Sequence, residues 1–195
     1  MNILIIPEDF RKDQYILKPV VKAIMTYLEK PNAKIQVCQD PLLGGISQAM
    51  QWENIARIIE MYDGMVDIFL LLVDRDGQPG RRSALDTIEL QAASALPPKR
   101  LFVAEHAWQE LEVWALAGCD DLPRDWKWPD IRNERDPKER YFDPYAQRKN
   151  LLDEPGQGRK TLGDEAGKNY QRVRKLCPEE FEPLEQKISR FIAAV

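Results

Sequence analysis

Met65–Val73 reads MVDIFLLLV and runs directly into Asp74-Arg75-Asp76-Gly77. A strand that is apolar at nearly every position has no face left for water, so it belongs in the middle of a parallel sheet covered on both sides. Its apolar core, Ile68–Val73, is far too short to span a bilayer. Upstream, Ser47 is placed to cap a helix reaching about Tyr62, with Trp52, Ile55, Ala56 and Ile59 on one face, and Asp63-Gly64 breaks the chain before the strand. Downstream, the loop Asp74–Arg82 leads into a helix ending near Ala95. Pro97-Pro98 then precedes a strand over Arg100–Ala104 and a helix over Trp108–Ala117.

The same alternation starts at the N-terminus. Asn2–Ile6 (NILII) is a short β-branched strand ended by Pro7. Asp13 is positioned to cap a helix running to about Lys30, and Lys34–Cys38 alternates as a strand. Units of this length predict an α/β fold, a parallel sheet with helices on both faces, over residues 1–117. Beyond Gly118 the texture changes. Residues 119–160 are charged, proline-rich and aromatic without a clear period, and Lys160–Cys177 and Pro178–Val195 read as helices. Segment 118–195 is thus expected as an irregular and helical C-terminal extension packing on the same domain.

The 195 residues carry a net charge of −4, with 44% hydrophobic and 31% charged residues, the balance of an ordinary water-borne domain. That charge argues against coating nucleic acid by bulk electrostatics. Residues 1–120 hold 12 basic and 17 acidic residues, and residues 121–195 hold 16 and 15. An acidic region with basic groups supplied from elsewhere suits a metal enzyme acting on a phosphate-rich substrate. The three cysteines are scattered and His106 is the sole histidine, which disfavours zinc. No export signal is recognised at the N-terminus, and a cytoplasmic location with reduced thiols is expected.

Ligands of open parallel sheets gather at the C-terminal ends of the strands. Here strand one ends in Pro7-Glu8-Asp9, strand three in Asp74-Arg75-Asp76-Gly77, and strand four in Glu105-His106, followed by Glu110 and Glu112. Clustered carboxylates repel and call for a cation, and oxygen-only donors favour Mg²⁺, Mn²⁺ or Ca²⁺. Asp74 and Asp76 are the sharpest candidates, with Gly77 allowing the backbone to turn away. The alternative is an ordinary Asp-Gly surface turn. An EF-hand is excluded, since Pro79 and Leu85 stand where it needs Gly and Glu. Glu8 is a candidate ligand or general base. Of Glu110 and Glu112, two apart on a helix, at most one should face the site. Arg159 and Lys160 follow a glycine-rich segment at a helix start and would contact phosphate, with solvated basic residues as the alternative. Trp126, Trp128, Tyr141, Phe142 and Tyr145, interleaved with Arg and Lys, would either stack nucleotides or pack the extension onto the domain.

Glu8 after strand one, Asp74-x-Asp76 after strand three and this strand–helix order resemble the Toprim domain of topoisomerases, primases and the overcoming-lysogenization-defect nucleases. Glu110-x-Glu112-x-Trp114 and the basic segment after it resemble small stand-alone bacterial Toprim-like proteins. The likeness covers residues 1 to about 117 well and the remainder loosely. It implies a Toprim- or Rossmann-like sheet and a Mg²⁺- or Mn²⁺-dependent nuclease or nickase acting on nucleic acid, DNA above all. Glu8 would be ligand or base, Asp74 and Asp76 would bind metal, Glu110 or Glu112 would serve a second ion, and Lys160 would be the charge-stabilising lysine. Arg75, Arg159, Trp126 and Trp128 would contact substrate. Asp9 departs from the pattern, standing where the family has glycine. Small proteins of this kind often act beside an ATPase in phage defence, which makes an AAA- or ABC-type ATPase the expected partner. Two other readings stay open: a non-catalytic metal- or nucleotide-binding module that docks on such an ATPase, and a transferase using Asp-x-Asp to hold a nucleotide diphosphate.

Overall fold

The run NILII forms β1 (Asn2–Pro7), and the apolar run that opened the reading forms β3 (Ile68–Asp74), pairing parallel to it with Ile3 opposite Ile68 and Pro7 opposite Leu72. The computed structural model describes all 195 residues, Met1–Val195. With β2 (Lys34–Val37) and β4 (Leu101–Ala107), these strands make a four-stranded parallel sheet in the order β2-β1-β3-β4. The chain moves outward from β1 to β2, then returns past β1 to β3 and continues to β4. The strand order therefore reverses between β1 and β3, where the parallel-sheet rule places a ligand crevice.

Alternation along the two central strands supplies two cores. Ile3, Ile5, Leu70 and Leu72, joined by Val103 of β4, point to one face, against α1 (Phe10–Tyr27), α5 (Glu112–Gly118) and the C-terminal helices. Leu4, Ile6, Phe69, Leu71 and Val73 point to the other, against α3 (Trp52–Met61) and α4 (Arg81–Ala95). Each fully buried Ile or Leu contributes about 1.5–3 kcal/mol, so double coverage explains why these strands carry polar residues only at their ends, Asn2 and Asp74. No helix is long and apolar enough to cross a membrane. The three cysteines are buried and unpaired.

Several boundaries differ from expectation, each for a visible reason. Asp9 caps α1 in place of Asp13, its carboxylate accepting the Arg11 N–H at 2.9 Å. The single helix expected over Ser47–Tyr62 is divided into α2 (Ile46–Ala49) and α3. The Asn54 side chain bridges the break by donating to the Gln48 carbonyl and the Gln51 side chain. Strand β4 continues through Glu105 and His106 because β3 pairs with it as far as Asp74 opposite Ala107. The next helix begins at Glu112 instead of Trp108, since the intervening backbone is bonded elsewhere: Gln109 O receives the N–H groups of Arg75 and Asp76.

Segment 118–195 is an integral part of the first core. It comprises α6 (Trp128–Asn133), a π-turn at Lys138–Phe142, α7 (Asp143–Arg148), α8 (Arg159–Lys168), α9 (Tyr170–Leu176) and α10 (Pro178–Ala194). The helix expected over Lys160–Cys177 is broken at Asn169, whose side-chain amide donates to the Gly118 carbonyl at 2.8 Å. Helix α8 crosses α1 at very short range, and a Cβ added to Gly163 would lie 2.2 Å from the Tyr15 carbonyl oxygen. Pro19 in α1 has no N–H to donate to that carbonyl. The Tyr15 oxygen is thus left facing α8, and glycine is what allows the approach.

Candidate functional site

The reversal between β1 and β3 brings the first two predicted acids together. Glu8 Oε1 accepts the Asp74 N–H at 3.1 Å, which sets the two carboxyl-bearing residues side by side. Asp74 Oδ1 in turn accepts the Leu111 N–H at 2.8 Å. Backbone amides thereby orient one oxygen of each carboxyl, the role that outer-shell donors play around metal ligands. Burial, then the charges of Glu8, Glu112 and Asp13, push Asp74 well above the usual carboxylate range. Burial raises Glu8 as well, with Asp76 adding to the shift and the Asp74 hydrogen bonds and Arg81 opposing it.

Asp13 is the residue that sequence reasoning missed. Read as a cap, it sits instead in the first turn of α1, where Oδ2 accepts the Asp9 N–H at 2.8 Å. Burial, with the nearby Glu8, Glu112 and Asp9 charges, pushes it up to about 8. The available signal was Asp9 itself: a capping residue four positions earlier puts Asp13 one helical turn inside, on the face that also buries Ile16, Leu17 and Val20.

Asp76 lies two residues past the strand end in the left-handed region, φ 53°, followed by Gly77 at φ 64°. Asp residues tolerate this conformation, and the turn lets the Gly77 N–H reach the Gln109 side-chain oxygen at 3.0 Å. Asp76 Oδ2 lies 3.4 Å from Arg81 Nη2. Glu112, not Glu110, is the later acid that joins the cluster: it is buried, adds its charge to those of Asp13 and Asp74, and pairs with the buried Arg159. Glu110 instead accepts the Lys138 N–H at 2.8 Å, which pins the π-turn. Burial is the main cause of its rise to about 7.

The other expected site residues lie apart from this centre. Lys160 pairs with Asp164 on the exposed side of α8 and lines a cavity with Tyr15, Lys18 and Lys22. Arg159 points inward: its guanidinium lies 5.2 Å from the Phe142 ring centroid and bonds Glu112 and the Gly156 carbonyl. Trp126 packs edge-on against Tyr141 at 5.0 Å, and the Trp128 Nε1–H donates to the Leu176 carbonyl at 3.0 Å. Both indoles are half-buried and hold the extension on the domain. Arg75 stacks over Trp108 at 4.4 Å and borders a cavity of about 350 Å³ at the end of β4, together with Arg82, Glu105, His106 and Lys187. The His106 pKa is lowered, chiefly by burial and further by the adjacent arginines Arg82, Arg75 and Arg81.

A second acidic group was not anticipated. Asp120, Asp121 and Glu165 bring carboxylate oxygens within 4.8 Å of one another at the surface. Asp121 already accepts from the Tyr145 hydroxyl and pairs with Lys149. Glu165 lies 44 residues beyond Asp121, so no short motif announces the grouping.

The central acids offer carboxylate oxygens alone, the donor type that hard divalent cations take, and burial and neighbouring charge raise the pKa of Glu8 and Asp74. The three acids whose oxygens lie within 4.8 Å of one another are Asp120, Asp121 and Glu165, outside this cluster. Comparison with protein-family models, curated proteins and solved structures finds no match to this chain.

Proposed function

We propose that the protein is a Mg²⁺- or Mn²⁺-dependent phosphodiesterase acting on nucleic acid, a Toprim-type nuclease or nickase. One observation carries the reading: Glu8 and Asp74 meet across the β1–β3 reversal, with Asp13 and Glu112 close behind them. In this reading Glu8, Asp74 and Asp76 hold the ion, which when bound would polarise a phosphoryl oxygen and lower the pKa of attacking water. Glu8, its pKa raised by burial, accepts the proton from that water as the new P–O bond forms. The bond to the leaving oxygen breaks and that oxygen takes a proton from solvent water. Asp13, which keeps its proton up to about pH 8, and Glu112, paired with Arg159, lie behind the ligands, and the Leu111 N–H fixes the Asp74 carboxyl in place.

Hydrolysis of bis(p-nitrophenyl) phosphate, a generic diester, tests the chemistry apart from nucleic-acid recognition. Turnover that requires Mn²⁺ or Mg²⁺ and is lost in Asp74→Asn supports the reading. Turnover that persists in the variant removes the acid cluster from it.

A further inference from the structure

The cavity of about 350 Å³ at the end of β4 has the size of a small-ligand site, and none of the residues proposed to hold the ion lines it. His106 does line it, and that residue is nine-tenths buried. One of its ring nitrogens is accounted for. Nδ1 lies 3.0 Å from the Ala107 carbonyl oxygen, which can only accept, so Nδ1 carries the ring proton and donates. Nε2 has no partner in the chain. The one fully covered side-chain polar atom without a partner belongs to Arg81, so the unpartnered Nε2 keeps an opening onto the cavity. The lowered pKa keeps the ring neutral at pH 7, and Nε2 therefore presents a lone pair that calls for an N–H or O–H donor.

Arg75 brings the opposite chemistry to the same cavity. Its guanidinium lies 4.4 Å from the Trp108 ring centroid, forms no ion pair and donates to no group of the chain. The other charges around the cavity are engaged. Arg82 holds Asp86 and Glu105, Lys187 holds Glu89, and Arg132 holds Glu179 and Glu180. Trp108 is itself fixed, its backbone N–H donating to Glu180 Oε1 at 3.1 Å and Arg132 lying 5.3 Å from its ring centroid. Stacking on that indole holds the Arg75 guanidinium in place and leaves its N–H groups unspent, in the planar fork that matches two oxygens of a phosphate.

We propose that this cavity binds one nucleotide of the substrate, with a phosphate on the Arg75 guanidinium and a sugar O–H or base N–H donating to His106 Nε2. The inference deepens the phosphodiesterase reading and rests on it. Arg75 stands between Asp74 and Asp76 in the chain, so a nucleotide that it holds neighbours the phosphodiester at the ion. A simple anion would satisfy Arg75 and a neutral donor would satisfy His106, whereas a nucleotide carries both groups on one molecule. A ligand that entered without the donor would displace water from Nε2 and leave its lone pair unmatched, which costs affinity.

The test is calorimetric titration of uridine 5′-monophosphate and 2′-deoxyuridine 5′-monophosphate, without metal, into wild type, Arg75→Gln, His106→Phe and His106→Gln, with Mn²⁺ titrated separately. The expected result is nucleotide binding by wild type that is at least ~10-fold weaker in Arg75→Gln and His106→Phe, the lower end for a lost hydrogen bond to a charged or buried group. His106→Gln, which keeps an acceptor, should give an intermediate value. Weaker binding of the deoxynucleotide identifies the sugar hydroxyl as the donor to His106, and equal binding of the two identifies the base. Arg75→Gln should unfold within a few degrees of wild type, because the side chain bonds nothing in the chain, so that arm decides even where His106→Phe is unstable. Wild type that binds neither nucleotide overturns the inference, as does affinity within twofold of wild type in Arg75→Gln or in folded His106→Phe. With Mn²⁺ binding intact, those outcomes leave the metal reading standing. Nucleotide binding without Mn²⁺ binding removes the phosphodiesterase reading and keeps the cavity as a nucleotide site.

Discussion

Glu8 and Asp74, 66 residues apart in sequence, meet at the reversal between β1 and β3, where the Asp74 N–H donates to Glu8 Oε1. Two partly buried carboxyls this close do not both ionise readily without a cation. Glu8→Gln and Asp74→Asn should each weaken Mn²⁺ binding by at least ~10-fold, the lower end for groups that hold or orient a metal. Calorimetric titration measures this. Asp120→Asn, in the exposed acidic group, should leave that affinity unchanged.

The same burial sets a pH dependence. Asp13, pushed up to about 8, binds more protons in the folded than in the unfolded chain between about pH 4 and 8. Stability from this group is therefore present at low pH and is lost as pH rises through that window. Glu8 and Asp74 are shifted in the same direction. Asp13→Asn keeps an acceptor for the Asp9 N–H but removes the ionisation. It should raise Tm at pH 8 relative to wild type by several degrees, about 2–4 °C per kcal/mol, and by much less at pH 5. Added Mg²⁺ should raise the wild-type Tm more at pH 8 than at pH 5, since binding displaces protons. Differential scanning fluorimetry at the two pH values checks both.

Arg159 and Glu112 form a buried pair that ties α8 to the acid cluster. Arg159→Met strands Glu112 and should cost about 3–5 kcal/mol. The double variant Arg159→Met/Glu112→Gln should recover a large part of that loss. Urea denaturation of the two variants and wild type measures the difference.

Much of the sheet was legible because its signal is local. An unbroken apolar run such as Ile68–Val73 implies a doubly covered strand whatever surrounds it, and Glu8, Asp74 and Asp76 could be read from where such runs stop. The partners of these residues were not legible, because they depend on packing between distant segments. Nothing near Glu112 in sequence announces Arg159, and nothing near Arg81 distinguishes it from Arg82, although one is under-bonded and the other fully engaged. Arg159 and Lys160 both follow the glycine segment and were both expected to contact phosphate, with Lys160 the charge-stabilising lysine that the resemblance implies. Helical rotation sends Arg159 inward and Lys160 out to Asp164.

The extension was expected to pack on the domain, and its close contact through Gly163 gives that packing a test. Gly163→Ala places a methyl against the Tyr15 carbonyl and should cost about 1–3 kcal/mol as α8 shifts away from α1. Chemical denaturation should show the loss in a single transition, since α1 and α8 share one core. A separate early transition for the C-terminal helices would contradict that.

The most direct test of the central claim is a nicking assay on supercoiled plasmid with Mg²⁺ or Mn²⁺, comparing wild type with Asp74→Ala. The account predicts metal-dependent conversion to open-circular or linear DNA, reduced at least ~10²-fold in the variant, whose fold should survive because Asp74 lies at a strand end. Equal nicking by the two proteins, or none by wild type at high concentration with either metal, would contradict it.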